Sequence, residues 1–313
     1  MTRSLIPVVC VMGPTASGKT ALGLEVARRF NGEVISVDSA LVYQHMDIGT
    51  AKPDQQEQAG IAHHLLDVCS PQEAYSAARF RDDALLLIED LSRRGKLPVL
   101  VGGTGFYFRA LEQGLSPLPA SDPVVRERLT LEHQAKGAVY MHQRLGEIDP
   151  VSAERLHPND TQRILRALEV YEMVARPMSE LWDGQSEQQS PLRFIKIAIT
   201  PNDRKQLHMR IAQRFENMLQ NGFINEVKRL RDMPGMSSEL PSMRSVGYRQ
   251  VWQYLDNQLD YETMKEKGIT ATRQLAKRQL TWLRKESDLH WFDSESESLL
   301  SDILSFVENQ LEN

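Results

Sequence analysis

A glycine-rich segment near the N-terminus carries the clearest chemical signal in this 313-residue sequence. It reads Gly13-Pro14-Thr15-Ala16-Ser17-Gly18-Lys19-Thr20 and matches the phosphate-loop pattern G-x-x-x-x-G-K-[ST]. Because it follows an apolar run and precedes a helical pattern, its backbone N–H groups and the helix N-terminus would bind phosphate. Lys19 would reach the terminal phosphates, and the Thr20 hydroxyl would be a ligand for magnesium (Mg²⁺). The segment predicts a phosphorylated ligand, with an ordinary glycine-rich turn as the less favoured alternative.

A carboxylate is the second candidate for chemistry. Asp38 ends the apolar run 34–37, and α/β sheets place their ligands at the carboxyl ends of such strands. Asp38 would therefore lie beside the phosphate loop and could accept a proton, with a mere turn or helix cap as the less favoured alternative. The later strand end, Gly102-Gly103-Thr104-Gly105, has no acid, whereas most nucleoside-triphosphate sites carry a Mg²⁺ carboxylate there.

A parallel sheet is needed to position these groups. Short β-branched runs at 7–12, 33–37 and 97–101 alternate with helical patterns at 19–30 and 76–95. A turn-rich segment at 116–123 then opens a purely helical stretch that ends near Trp182, and the strand pattern at Leu192–Thr200 needs partners in the N-terminal sheet. We expect an α/β fold in which residues 1–115 and 191–313 form a P-loop NTPase-like parallel sheet core. Residues 116–190 would form an inserted all-helical domain.

The overall composition limits the function classes. Thirty-seven Lys and Arg against 42 Asp and Glu give a net charge of −5, which argues against a chain coated in positive charge but not against a local basic stripe. Two cysteines, Cys10 and Cys69, exclude a disulfide framework and a four-cysteine zinc site. No apolar stretch is long enough for a signal sequence or a membrane span. We expect a soluble cytoplasmic protein with no membrane partner.

A basic stripe does occur near the C-terminus. Five basic residues and no acid lie between 269 and 285, namely Arg273, Lys277, Arg278, Arg284 and Lys285. On a helix, Arg273, Lys277 and Arg284 share one face beside an apolar stripe. This pattern predicts a packed helix with a basic edge, which is either an ordinary solvated face or a contact for RNA phosphates.

Seven motifs in chain order carry a family resemblance. They are Gly13 to Thr20; Ser-Val-Asp-Ser at 36–39 with Tyr43; Met-Asp-Ile-Gly-Thr-Ala-Lys-Pro at 46–53; His-His-Leu at 63–65; Gly-Gly-Thr-Gly at 102–105 with Tyr107; Val-Gly-Tyr-Arg at 246–249; and 272–284. With these motifs the chain resembles the tRNA dimethylallyltransferase (tRNA isopentenyltransferase) family, in its bacterial type, over nearly its whole length. The resemblance implies transfer of a dimethylallyl group from dimethylallyl diphosphate to N6 of the adenosine immediately 3′ of the anticodon. The implied partners are the tRNA anticodon stem-loop and the donor, with Mg²⁺ as cofactor, and we expect a monomer.

The resemblance also implies roles for individual residues. Asp38 matches the general base, Thr104 the channel position that touches the target nucleotide, and the phosphate loop would bind the donor diphosphate. Arg214, four residues after Arg210 on a predicted helix, is either a second diphosphate ligand or a solvated charge. The positions that match tRNA contacts are Asp38, Ser39, Ala40, Leu41, Thr104, Arg126, Gln162, Arg163, Ile164, Leu165, Arg166, Arg244, Ser245, Val246, Gly247, Tyr248, Arg249, Lys277, Arg278, Gln279, Leu280, Thr281, Trp282, Leu283 and Arg284.

Some of these positions depart from simple contacts. Ile164 and Leu165 have the character of packing residues. Leu41 stands where many family members have Gln, so amide readout of a base there is lost or replaced by an apolar contact.

Three other functions remain open from the sequence. An adenylate dimethylallyltransferase would use a free nucleotide and need neither the insert nor the basic helix. A P-loop small-molecule kinase fits less well because the later strand-end acid is missing. A non-catalytic RNA-binding protein is disfavoured because Lys19, Thr20 and Asp38 are all intact.

Overall fold

A six-stranded, all-parallel sheet is the centre of the larger of two units in a computed structural model of the chain, which describes residues 5–116, 118–184 and 190–312. The strands are β1 (Ile6–Met12), β2 (Gly32–Val37), β3 (His63–His64), β4 (Leu97–Gly102), β5 (Leu192–Thr200) and β6 (Leu289–Asp293), in the order β3-β2-β4-β1-β5-β6. The predicted α/β fold is confirmed, and β5 pairs with β1 from Ile6 opposite Leu192 to Met12 opposite Ala198. The predicted domain ranges also include residues 1–4, 117, 185–189 and 313, which lie outside the described residues.

Helices lie between and after these strands along the chain. They are α1 (Lys19–Arg29), α2 (Ala77–Arg93), α3 (Gly105–Gln113), α4 (Pro123–Ile148), α5 (Pro150–Arg155), α6 (Thr161–Val174), α7 (Arg204–Gln220), α8 (Phe223–Arg231), α9 (Tyr248–Leu255), α10 (Tyr261–Leu283) and α11 (Leu299–Glu312), with a 3₁₀ helix at Met178–Gly184. None of the helices in the described ranges is long and apolar enough to cross a membrane.

Both faces of the sheet are buried, which explains the near-continuous apolar runs of the central strands. Val8 and Cys10 of β1 belong to a core that includes Phe80 of α2 and Phe223 of α8. Val9, on the opposite face of β1, belongs to a second core with α1 and α11. Because both faces are covered, the loops at the carboxyl ends of the strands are left to form the site.

The second unit comprises Gln113–Ser190, and the first comprises Met1–Glu112 with Pro191–Asn313. The second unit has its own core, formed by residues such as Leu129, Met141 and Leu168. Asp122 caps α4 by accepting hydrogen bonds from the N–H groups of Val124 and Val125, with Pro123 as the first helical residue. The unit begins three residues before the predicted insertion domain at 116–190, whose role as a domain stays a prediction.

Candidate active site

The carboxyl ends of β1, β2 and β4 meet at one edge of the sheet. After β1 the chain forms β2, β3 and β4 on one side of β1, and it then crosses to form β5 and β6 on the other side. The strand order therefore reverses between β1 and β4. Ligands of open α/β sheets bind at such a point. A cavity lies here and is lined by Lys19, Thr20, Asp38 and Arg214. The phosphate loop and the candidate base therefore share one cavity.

The phosphate loop is shaped for a ligand that accepts hydrogen bonds. Gly18 adopts a left-handed conformation (φ 91°) at the N-terminus of α1, and no side chain caps this helix. The first N–H groups of α1 are consequently left for an anion. A Cβ atom on Gly13 would lie 2.5 Å from Ser17 Oγ and 2.6 Å from the Ile199 carbonyl oxygen, so only glycine fits there.

Lys19 lies inside this loop, and its ammonium donates to the Pro14 carbonyl oxygen at 3.2 Å. Burial lowers the pKa of Lys19 to about 8; the Asp38 carboxylate opposes the shift and the Arg214 guanidinium adds to it. Lys19 is thus mainly protonated at neutral pH, and bound diphosphate would stabilise that charge.

Gln279 of α10 joins two of the loops at the cavity. Its Oε1 accepts from the Thr15 N–H at 2.9 Å, and its Nε2 donates to the Gly103 carbonyl oxygen at 3.0 Å. A Cβ atom on Gly103 would lie 2.3 Å from Nε2, which explains the glycine at this position. Gln279 was predicted as a tRNA contact, and in the structure its amide holds α10 to the phosphate loop and to the loop after β4.

Asp38 has the geometry of a turn cap at one carboxylate oxygen and of a general base at the other. Its Oδ1 caps a turn by accepting from the N–H groups of Ala40 at 2.8 Å and Leu41 at 3.4 Å. Its Oδ2 makes no hydrogen bond to any described residue. The neighbouring Thr104 Oγ1 accepts from the Ser39 N–H at 3.1 Å, and the Thr104 N–H donates to the Val37 carbonyl oxygen at 3.2 Å. One carboxylate oxygen therefore fixes the loop while the other is available to a substrate.

Arg214 and Arg210 of α7 have different environments. Arg214 lines the cavity and donates to the Thr50 carbonyl oxygen at 3.2 Å. Burial lowers its pKa, an effect that Asp38 and Glu57 oppose. Arg210 instead donates to Ser294 Oγ at 3.2 Å and forms an ion pair with Glu295. Only Arg214 of the pair lines the cavity.

Glu226 of α8 supports one wall of the cavity and was not found from the sequence. Its buried carboxylate accepts from the N–H groups of Asp47 (2.9 Å), Ile48 (2.7 Å) and Gly49 (3.1 Å), and from the Tyr248 hydroxyl (2.6 Å). Gly49 and the next residue, Thr50, line the cavity. The sequence did hold a signal, because Glu226 shares a helical face with apolar residues of α8.

Comparisons with known proteins agree with this architecture. The family model described as IPP transferase matches residues 41–286, well over half of the chain. The chain belongs to the IPP transferase family. A tRNA dimethylallyltransferase from Nitrosomonas eutropha is 50% identical to it over 302 residues, which cover 96% of this chain and 95% of that protein.

Solved structures of related proteins support the assignment to the IPP transferases. The tRNA isopentenylpyrophosphate transferase of Bacillus halodurans is similar with a TM-score of 0.73 and 36% identity, over 98% of this chain and 97% of that one. The Staphylococcus epidermidis tRNA Δ(2)-isopentenylpyrophosphate transferase gives 0.70 and 35%, over 98% of each chain. A eukaryotic dimethylallyltransferase described as acting on tRNA gives 0.81 and 28%, over 98% of this chain and 79% of that one.

Within this IPP transferase, the predicted tRNA contacts fall into several groups. Those that line the cavity are Asp38, Ala40, Leu41, Ser245, Val246, Tyr248 and Gln279. Gly247, Tyr248 and Leu283 are buried, and the Tyr248 side chain is fully enclosed with its hydroxyl on Glu226. Arg244 is exposed and pairs with Glu239 at 2.7 Å, and Arg249 is exposed.

In the second unit, two of the predicted contacts, Arg126 and Arg166, lie beside the buried Glu169. Arg166 donates to Glu169 at 2.9 Å, and Arg126 lies 3.5 Å from the same carboxylate. Arg163 pairs with Asp160, and Gln162 is exposed. Ile164 and Leu165 are buried in the core of the unit, which agrees with their reading as packing residues.

On α10 of this IPP transferase, the predicted basic edge is exposed. Lys277, Arg278 and Arg284 are exposed and make no ion pair with any residue in the described ranges. Thr281 is also exposed, Leu280 is partly buried, and Trp282 stacks on Phe108 with ring centroids 5.9 Å apart. Arg109 of α3, which the sequence reasoning missed, joins Lys277, Arg278 and Trp282 along one open groove.

Proposed function

We infer that the chain is a tRNA dimethylallyltransferase. It transfers a dimethylallyl group from dimethylallyl diphosphate to N6 of the adenosine immediately 3′ of the anticodon (tRNA position 37), and releases diphosphate. One observation carries this conclusion in a member of the IPP transferase family: a single cavity combines a phosphate loop, a carboxylate with an available oxygen and an apolar wall.

The cavity offers groups that match both the diphosphate and the five-carbon group of the donor. Its diphosphate would bind the N–H groups of the loop, the Lys19 ammonium and the Arg214 guanidinium. Its five-carbon group would lie against apolar side chains of the same cavity, such as Phe215, Met218 and Leu275.

The transfer needs a base and a stabilised leaving group. The lone pair of the adenine N6 forms a bond to C1 of the dimethylallyl group while the bond from C1 to the diphosphate oxygen breaks. Lys19 and the loop N–H groups stabilise the negative charge that develops on the diphosphate. Asp38 Oδ2 accepts the proton that N6 loses, while Oδ1 keeps the carboxylate in place through the Ala40 N–H.

Mg²⁺ fits the donor set at the loop. The Thr20 hydroxyl lines the cavity beside Lys19, and Mg²⁺ is commonly held by one or two protein oxygens together with substrate phosphates and waters. Thr20 would hold the ion, and when bound it would neutralise part of the charge on the diphosphate.

The acceptor must bring a base into the cavity from an RNA loop, since the adenine N6 lies within a stacked anticodon loop. Leu41 and Val246 offer apolar contacts to that nucleotide, and Thr104 lies beside Asp38. The exposed basic residues of α10 would bind backbone phosphates of the anticodon stem-loop. We assign further contacts to the second unit through Arg126 and residues 162–166.

The location and the assembly state complete the proposal. The two cysteines are free and buried, which supports a reducing compartment, and we infer the cytoplasm. We also infer a monomer, as the family resemblance implies.

Labelled dimethylallyl diphosphate tests this function when it is incubated with the protein and either unmodified tRNA or AMP. We expect label in tRNA at the adenosine 3′ of the anticodon, and none in AMP. Label in AMP alone would make the chain an adenylate dimethylallyltransferase. Hydrolysis of ATP without any transfer would favour the kinase alternative.

A further inference from the structure

A second groove, separate from the cavity, runs between α7 and α10. Arg204 and His208 of α7 line it together with Arg273 and Lys277 of α10 and with Arg284, the residue that follows α10. Its apolar lining comes from both helices, and no acidic side chain of the described residues lines it. We call these five basic residues the α7–α10 groove.

None of the residues that the structure describes forms an ion pair with the positive charges of the α7–α10 groove. Arg204 Nε donates to His208 Nε2 at 3.3 Å, so its partner is a neutral acceptor. Lys277 and Arg284 have no ion pair with residues that the structure describes. Arg273 Nε is shielded from solvent and has no hydrogen-bond partner within the same residues. Unpaired cations held this close repel one another, and an anion in the groove would relieve that repulsion.

His208 adds a hydrogen-bonding group to the groove. Burial lowers its pKa, and the charges of Arg273 and Arg204 lower it further. The lowered pKa favours the neutral form of His208, so the arginines and the lysine carry the charge of the groove.

The α7–α10 groove and the cavity use different faces of α10. Thr272, Leu275 and Gln279 line the cavity, whereas Arg273, Lys277 and Arg284 line the groove. Consecutive residues of an α-helix are about 100° apart around its axis, so an anion in the groove cannot be the donor diphosphate on the phosphate loop. The groove is a distinct site.

The length of the basic row indicates an extended anion. Arg273 on α10 and Arg284, which caps the end of that helix, are eleven positions apart, which is roughly 16 Å along the helix axis at about 1.5 Å per residue. A free phosphate would contact only part of such a row, whereas a polynucleotide backbone offers successive phosphates along its length.

We propose that the α7–α10 groove binds backbone phosphates of the substrate RNA outside the nucleotide that enters the cavity. This rests on the proposed function. The groove contributes affinity and salt dependence, and by itself it reads no base. Arg204 and His208 are the residues newly assigned to RNA binding.

Arg204 allows a controlled test because the next residue, Lys205, carries the same charge on the same helix turn but does not line the groove. Neither residue has a carboxylate partner among the described residues, so neither change breaks an ion pair seen there. The experiment measures the Kd of unmodified tRNA against salt concentration for the wild type, Arg204→Ala, Arg204→Lys and Lys205→Ala. Thermal unfolding of each variant is measured in parallel.

We expect Arg204→Ala to raise the Kd about 3- to 10-fold at low salt and to flatten the slope of log Kd against log salt by about one. Arg204→Lys should keep the slope, and Lys205→Ala should match the wild type. A loss of fold would lower the affinity without this specific change in slope.

Equal behaviour of Arg204→Ala and Lys205→Ala would overturn the proposal. It would also be overturned if inorganic phosphate, at matched ionic strength, displaced tRNA from the wild type but not from Arg204→Ala, because the groove would then be a site for a small anion. If the wild type neither bound tRNA nor transferred label to it, the proposed function itself would fail. That result is distinct from failure of the groove.

Discussion

Replacement of Glu226 is the sharpest test of how the cavity is held open. The carboxylate accepts four hydrogen bonds, three from consecutive backbone N–H groups at 47–49 and one from Tyr248. Glu226→Gln preserves the shape, but its amide group would turn an N–H donor toward N–H donors and leave about half of these bonds unmade. At about 1.5 kcal/mol for each hydrogen bond to a charged group, the loss is about 3 kcal/mol.

This loss should appear in donor binding as well as in stability. Residues 49 and 50 line the cavity, and Arg214 donates to the Thr50 carbonyl oxygen. If the 47–50 loop is ordered only part of the time, the apparent Kd for dimethylallyl diphosphate rises by the inverse of the ordered fraction. We expect a 10- to 100-fold increase, which corresponds to about 1.4 to 2.8 kcal/mol.

Two further variants make the result interpretable. Glu216→Gln removes the same charge from a partly exposed pair with Lys265 and should change the donor Kd by less than about 3-fold. Tyr248→Phe removes one of the four donors and should cost about 1 kcal/mol with little effect on the donor Kd. The measurements are isothermal titration with the donor and urea unfolding. A Glu226→Gln variant that is less stable but binds the donor like Glu216→Gln would refute the role in positioning.

Three other predictions follow from the cavity. Asp38→Asn keeps an acceptor for the Ala40 N–H but cannot take a proton. The rate of single-turnover transfer should therefore fall by about 10²-fold or more, while the Kd for tRNA stays within a few fold. An unchanged rate would exclude Asp38 as the base. Because the pKa of Lys19 is about 8, donor affinity should be constant below pH 8 and fall about tenfold per pH unit above it. Lys19→Arg should retain its donor affinity to higher pH. If the affinity of both proteins began to fall at the same pH, this prediction would be contradicted. Gln279→Ala should raise the donor Kd by releasing Thr15 and leave the salt slope of tRNA binding unchanged, whereas a direct RNA contact would weaken tRNA binding alone.

Local patterns were sufficient to predict the phosphate loop, four of the six strands and the pairing of β5 with the N-terminal sheet. β3 has only two residues, and the five residues of β6 include exposed His290 and Trp291, so neither forms an apolar run. α11 could have been predicted, since Leu299, Ile303 and Val307 recur every four residues.

The contacts that complete the site could not be predicted from spacing. Thr15 and Gln279 are 264 positions apart, and Asp47 and Glu226 are 179 apart. Such pairs depend on how helices pack on the sheet, which no local propensity encodes. The exposed arginine at 204 similarly becomes part of a groove only because α7 lies against α10.

The three faces of α10 make its length as important as its side chains. The helix presents Gln279 to the phosphate loop, Arg273 to the α7–α10 groove and Trp282 to the groove beside α3. A single inserted or deleted residue between 273 and 279 would rotate everything after it by about 100° and shift it by about 1.5 Å. The side chains would all still be present, but Arg273 and Gln279 could no longer face the α7–α10 groove and the phosphate loop at the same time. The segment of α10 between Arg273 and Gln279 must therefore keep its residue count.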